Sequence, residues 1–195
     1  MAKIQPLPAA PSPPSSGDHR QGQRGSQAYT VWMKSLVFNG NGCAVYGPDG
    51  SVVFRVDNYG CRGGREVLLM DRAGNALIRI RRKGFSMFRR WEVCRCEDEE
   101  ATPWFTVRRA DKGGATVAMY GGAGTCYRMD RCSARKTEYK IRGVDGAAVA
   151  EVARKQTAAG VVLGEDVLTL TVAPEMDHLL ALGMVVVRGL INRSL

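Results

Sequence analysis

Histidine is nearly missing from this chain, with two in 195 residues. His19 lies in a proline-rich leader and His178 in an apolar C-terminal stretch, so no imidazole pair is at hand for zinc or for a Ser-His-Asp or Cys-His arrangement. Six cysteines are present, Cys43, Cys61, Cys94, Cys96, Cys126 and Cys132, but no C-x-x-C pair. No metal site and no cofactor are expected, and an enzymatic role is not. Cys94-Arg95-Cys96 places two thiols on one face of a strand, a redox or metal arrangement in one reading and small, partly buried side chains in the other. The N-terminus has no cationic segment leading into an apolar stretch, since Met1-Ala2-Lys3-Ile4 runs into prolines. The expectation is an intracellular protein, not secreted, with its cysteines as thiols.

Acid is also scarce: 19 Asp and Glu face 28 Lys and Arg, giving a formal charge of +9. A field of that sign favours phosphoinositide head groups, acidic proteins or nucleic acid, although a solvated basic surface has the same composition. The length and the 45% apolar content suit one domain with a sizeable core. Residues 1–28 hold five of the eight prolines with many Ser, Gly and Gln, too little apolar surface to offset ordering entropy. They are expected to be a disordered leader, followed by one domain over 29–195. Lys3, Arg20 and Arg24 against Asp18 give the leader +2, so about +7 of the total belongs to the domain.

Within the domain a strand-turn-strand unit recurs. Gly47-Pro48-Asp49-Gly50, Asp71-Arg72-Ala73-Gly74 and Gly143-Val144-Asp145-Gly146 each separate two apolar-rich segments, and Asp111-Lys112-Gly113-Gly114 is a weaker copy. Each predicts a hairpin, because glycine at the turn accepts positive φ. Even offsets from the turn glycine give Val52, Phe54, Val56, then Ala76, Ile78, Ile80, then Ala148, Ala150, Val152, while Arg55, Arg79 and Glu151 fall between them. That alternation predicts antiparallel strands with one apolar and one wet face. After Pro174, the stretch Met176 to Ile191 is apolar almost all round, with Asp177, His178 and Arg188 as exceptions. About 15 residues of helix span roughly 23 Å, short of the roughly 30 Å bilayer core. The pattern predicts a buried helix, and closing the sheet around it hides both the apolar face and the edges.

Val53-Phe54-Arg55-Val56-Asp57-Asn58-Tyr59, Leu69-Met70-Asp71-Arg72-Ala73-Gly74, Arg79-Ile80-Arg81-Arg82-Lys83 followed by Trp91-Glu92-Val93, and the closing Pro174-Glu175-Met176-Asp177-His178 helix resemble, in order and spacing, the plant LURP-one-related family. The resemblance covers residues 29–192. It implies the tubby-like and phospholipid scramblase superfamily fold: all-β, a closed antiparallel barrel of about twelve strands around a central apolar C-terminal α-helix. It further implies a non-enzymatic regulator akin to membrane-tethered transcription factors, with one family member associated with plant defence. Scramblases carry an acidic calcium segment and a membrane-inserting helix. Here Gly164-Glu165-Asp166 precedes a strand and the end helix is short, so calcium-dependent scrambling is not expected.

The densest basic cluster is Arg79, Arg81, Arg82, Lys83, Arg89 and Arg90, interleaved with Phe85, Phe88 and Trp91. On a strand Arg79, Arg81 and Lys83 share the face opposite Ile78 and Ile80, an outward cationic row suited to phosphate. Binding of phosphoinositide or anionic membrane is one reading. A nucleic-acid or nuclear-import role is another, and an edge protected by charge is the structural alternative. Gly60-Cys61-Arg62-Gly63-Gly64 and Gly121-Gly122-Ala123-Gly124-Thr125 lack the strand-loop-helix context of a nucleotide fingerprint and read as turns. His178 reads as a hydrogen-bonded structural residue and Asp98-Glu99-Glu100 as a loop. With the helix filling the lumen, no interior site and no small-molecule substrate are expected.

Overall fold

The turn chemistry repeats at atomic level. The structure is a computed structural model and describes residues 25–34, 42–57, 66–83, 90–97, 102–121, 126–132 and 137–192. The backbone N–H groups of Gly47, Asp71 and Gly143 donate to the carbonyls of Ser51, Asn75 and Ala147, while those of Gly50, Gly74 and Gly146 donate back to Gly47, Asp71 and Gly143. The three glycines stand at φ +78°, +94° and +80°, the left-handed region closed to most side chains. Carboxylates lock the turns: Asp49 accepts from the Ser51 N–H at 3.1 Å and Asp71 from the Asn75 N–H at 2.8 Å. In the weaker copy both Lys112 (φ 54°) and Gly113 (φ 79°) are left-handed, as a primed hairpin turn requires. A further copy, unforeseen from sequence, closes Thr157 on Val161 through Gly160 at φ +77°.

These turns join strands β1 (Gln27–Trp32), β2 (Cys43–Tyr46), β3 (Val52–Asp57), β4 (Glu66–Asp71), β5 (Ala76–Arg82), β6 (Arg90–Arg95), β7 (Pro103–Arg109), β8 (Ala115–Met119), β9 (Cys126–Arg131), β10 (Tyr139–Arg142), β11 (Ala148–Arg154) and β12 (Val167–Val172). Each strand pairs antiparallel with the next, and β1 pairs with β12, so twelve strands close a barrel in sequence order. Strand β1 takes in Gln27 and Ala28; residues 1–24 of the expected leader lie outside the described residues.

The inner face is apolar, as the alternation predicts, but its phase slips once in each of the hairpins turned by Gly50, Gly74 and Gly146. Register shifts leave Val53, Leu77 and Val149 as extra residues opposite β2, β4 and β10, at the third place after each turn glycine. A bulge of this kind flips every residue on its far side. Val52 and Ala148, inward by even offset, are therefore exposed, whereas Val53 and Val149 pack against the core.

Helix α1 (His178–Asn192) follows β12 and enters the lumen. The Asp177 carboxylate accepts from the Leu180 N–H at 3.0 Å, capping the first turn. Every residue from Leu180 to Gly189 is buried, and full burial of side chains such as Leu182, Met184 and Val187 stabilises by roughly 1.5–3 kcal/mol each. Gly183 gives the closest approach: a Cβ there would stand 3.0 Å from Ile78 Cδ1 and 3.1 Å from Phe105 Cζ. No helix among the described residues is long and apolar enough to cross a membrane. Because successive strands alternate in direction, α1 ends at the barrel end that carries the β7–β8 turn and the β11–β12 connection.

Candidate functional site

Strand β5 alternates as expected, with Ile78 and Ile80 buried inside and Arg79 and Arg81 outside. Its cationic row is not free. Antiparallel pairing with β4 sets Glu66 opposite Arg81, and its two oxygens lie 3.4 Å from Arg79 Nε and 3.8 Å from Arg81 Nε. Lys83 Nζ lies 3.1 Å from Glu92 Oε1, and Glu92 is nearly buried on the outer side of β6. Arg79, Arg81 and Lys83 thus share two carboxylates, which removes most of the row's pull on a phosphate. Arg82 is exposed at the end of β5. Arg90 is held by a hydrogen bond from its Nη2 to Tyr120 Oη. Arg89, Phe85 and Phe88 lie outside the described residues, and Trp91 is buried inside the barrel rather than interleaved on the surface.

A second arrangement runs across the strands. The Lys83 N–H donates to the Arg90 carbonyl, Arg90 stands opposite Arg108, Arg108 opposite Thr116, Thr116 opposite Arg128, and Arg128 opposite Arg142. With neighbouring strands about 4.8 Å apart, the steps from Arg90 to Arg142 make a band roughly 19 Å wide on the outer surface. Asp130 lies 3.6 Å from Arg128 and 3.7 Å from Arg142 and relieves one end of the band. Among the described residues, no carboxylate forms an ion pair with Arg90 or Arg108, although like charges directly opposite are unfavourable by some tenths of a kcal/mol. The sequence offered no signal for this band, whose members come from different strands.

The interior also departs from expectation. Where α1 ends, a cavity of about 390 Å³ opens between the helix and the strand ends, lined by Arg188, Tyr139, Val185, Leu168, Met33 and Asp166 among others. Arg188 is 2% exposed. Its Nη2 donates to the Gly113 carbonyl, and its guanidinium carbon lies 5.5 Å from the centroid of the Tyr139 ring. Burial pushes the Arg188 guanidinium below its ordinary pKa, and burial pushes the Tyr139 phenol up. The helix therefore does not fill the lumen at this end of the barrel. The helix's one buried charge was the available signal.

His178, at the other end, is hydrogen-bonded through Nδ1 to Tyr29 Oη at 2.6 Å. Its position suits anchoring of the helix start to β1. Cys43 is fully enclosed, with its thiol pushed up to about 12 by burial, so it is no nucleophile at neutral pH. Cys94 is buried and Cys96 half-buried; among the described residues no group of three or more His, Cys, Asp and Glu side chains is placed to hold a metal ion. Gly60–Gly64, Gly122–Thr125, Asp98–Glu100, Cys61 and His19 lie outside the described residues.

The sequence matches the family described as LURP-one-related over residues 27–189. Protein LURP-one-related 11 of Arabidopsis thaliana is 38% identical over 180 residues, covering 85% of this chain and 78% of its own length. LURP-one-related 5 of the same plant is 39% identical over 181 residues, covering 83% and 81%. An Arabidopsis thaliana protein solved by X-ray crystallography superposes with a TM-score of 0.63 over 87% of this chain and 93% of that one; at 19% identity it speaks for the fold alone. With a family match over most of its length, and with the helix-centred barrel on which that match falls, the chain belongs to the LURP-one-related family.

Proposed function

We infer that this barrel is a non-enzymatic regulatory module that docks on anionic membrane carrying phosphoinositides, through the cross-strand arginine band. The observation that carries this reading is Arg90 facing Arg108 with no ion-paired carboxylate at either among the described residues. A fold that keeps two arginines opposed across neighbouring strands on its outer face is set up to receive negative charge from outside. The Arg79–Arg81 row is secondary, because Glu66 already serves both of its arginines. Superfamily likeness to membrane-tethered regulators agrees with this reading and does not identify the lipid.

The test is co-sedimentation of the full chain with phosphatidylcholine vesicles with and without a phosphoinositide. A basic side chain near an anionic surface contributes about 1 kcal/mol, and Asp130 already discounts Arg128, so replacing Arg90, Arg108 and Arg128 by Ala costs about 2 kcal/mol or a little more, upwards of roughly thirtyfold in partitioning. Replacing Arg79 and Arg81 is expected to cost much less. Unchanged vesicle binding in the triple variant sinks the reading. Retention on duplex DNA but not on vesicles transfers the band to nucleic acid.

A further inference from the structure

Arg188 is the one charged side chain on the enclosed length of α1, where every other residue from Leu180 to Gly189 is apolar. A guanidinium taken out of water without a counter-charge costs several kcal/mol, and a long apolar side chain in its place avoids that cost. Yet among the described residues no carboxylate pairs with Arg188, and its Nε has no acceptor. Arg109 and Arg131 lie close enough to add repulsion. The Gly113 carbonyl and the Tyr139 ring satisfy part of the group; the cavity of about 390 Å³ lies beside it.

We propose that this cavity binds a monocarboxylate with a compact apolar body, its carboxylate on Arg188 and its body on Met33, Leu168 and Val185. The volume matches about a dozen water-sized groups and falls within the size range of small-molecule pockets. The mouth chooses among anions. Glu165 and Asp166 both line the cavity; Asp166 is engaged by Trp32 Nε1 at 2.9 Å, and Glu165 is exposed with no ion-pair partner among the described residues. Lys34, also on the rim, offsets one of these charges. A polyphosphate entering past two carboxylates would be repelled more strongly than a single carboxylate, so this site and the outer band select different anions.

The experiment titrates the full chain calorimetrically with octanoate and phenylbutyrate, using octanol as the uncharged control and inositol trisphosphate as the polyanion. The wild type is expected to bind both carboxylates through Arg188, and any inositol trisphosphate it takes up, at the outer band, is expected to be indifferent to Arg188. Arg188→Met should weaken carboxylate binding roughly ten- to hundredfold, as loss of charge-assisted hydrogen bonds does, while leaving octanol unchanged. Val185→Phe, which fills the cavity with Arg188 intact, should weaken carboxylates and octanol together. Glu165→Gln alters only an exposed side chain, so it keeps the fold, and it should tighten carboxylate binding severalfold. Carboxylates that fail to bind the wild type at millimolar concentration, or that bind Arg188→Met equally well, overturn the proposal. Arg188-dependent binding of inositol trisphosphate overturns the choice of anion.

Discussion

Gly183→Ala separates a helix that is seated in the barrel from one that merely lies near it. In an open helix this change stabilises by about 1 kcal/mol, because glycine carries the larger backbone entropy. Here the new methyl group would sit 3.0 Å from Ile78 Cδ1 and 3.1 Å from Phe105 Cζ, both on fully buried side chains. Overpacking of that kind costs about 1–3 kcal/mol, so the net expectation is a destabilisation of about 1 kcal/mol. For a chain of this size that is a fall in Tm of about 2–4 °C. Ile78→Val removes the closer obstructing carbon and alone costs about 0.5–1.5 kcal/mol. Combined with Gly183→Ala, its cost should shrink, leaving a favourable coupling of roughly 0.5–1 kcal/mol. Urea unfolding followed by the fluorescence of Trp32, Trp91 and Trp104, which lie on β1, β6 and β7, measures all four corners of the cycle. A more stable Gly183→Ala protein, or a cycle with no coupling, would refute the packing of α1 against β5 and β7.

Asp177→Ala should destabilise by about 1 kcal/mol through loss of the helix cap, while Asp177→Asn, which can still cap, should cost much less in the same unfolding assay. Gly50→Ala meets no atom within 4 Å, so its cost of about 1–2 kcal/mol is purely that of the left-handed backbone. Thermal melts of that variant with intact far-ultraviolet dichroism check it. Asp71 accepts from the Asn75 side chain and backbone, which holds its carboxyl below the ordinary carboxylate value. A folded pKa below the unfolded one contributes stability above the unfolded value of about 3.9, and that stability is lost as pH falls through the folded value. Carboxyl-carbon NMR titration should show Asn75→Ala moving the Asp71 midpoint upward, since the side-chain bond is the larger cause.

The parts of this fold that depend on neighbours along the chain were legible in the sequence. Turn glycines at Gly50, Gly74 and Gly146 and the inward Ile78 and Ile80 are local facts, and the structure places them as expected. Val52 and Ala148 went astray because a bulge changes side-chain phase without changing the residue pattern. The surroundings of the candidate site were not legible, for a related reason. Arg79 and Arg81 are visible as a row on one strand, but the glutamate that neutralises them comes from β4. Arg90, Arg108, Arg128 and Arg142 become neighbours only through the registers of β6 to β10, which depend on turn lengths that no local pattern encodes. The end cavity is less legible still, because it is space left over where α1 stops.

A lumen packed with apolar side chains leaves two places where a ligand's charge can be met: the outer surface and the end where the helix stops. The two differ electrically. Among the described residues no carboxylate pairs with the outward Arg90 and Arg108, whereas Arg188 shares its cavity with Glu165 and Asp166. Density of negative charge therefore favours a ligand at the band and disfavours it at the cavity. The sites are also covalently and spatially distinct, one on the outside of β6 to β10 and the other inside at the end of α1, so their failures separate. Removing the band arginines should leave octanoate affinity unchanged, and Arg188→Met should leave vesicle partitioning unchanged. If instead each substitution weakens both ligands, the two sites do not act separately, and the division by charge density drawn from Glu165 and Asp166 is wrong.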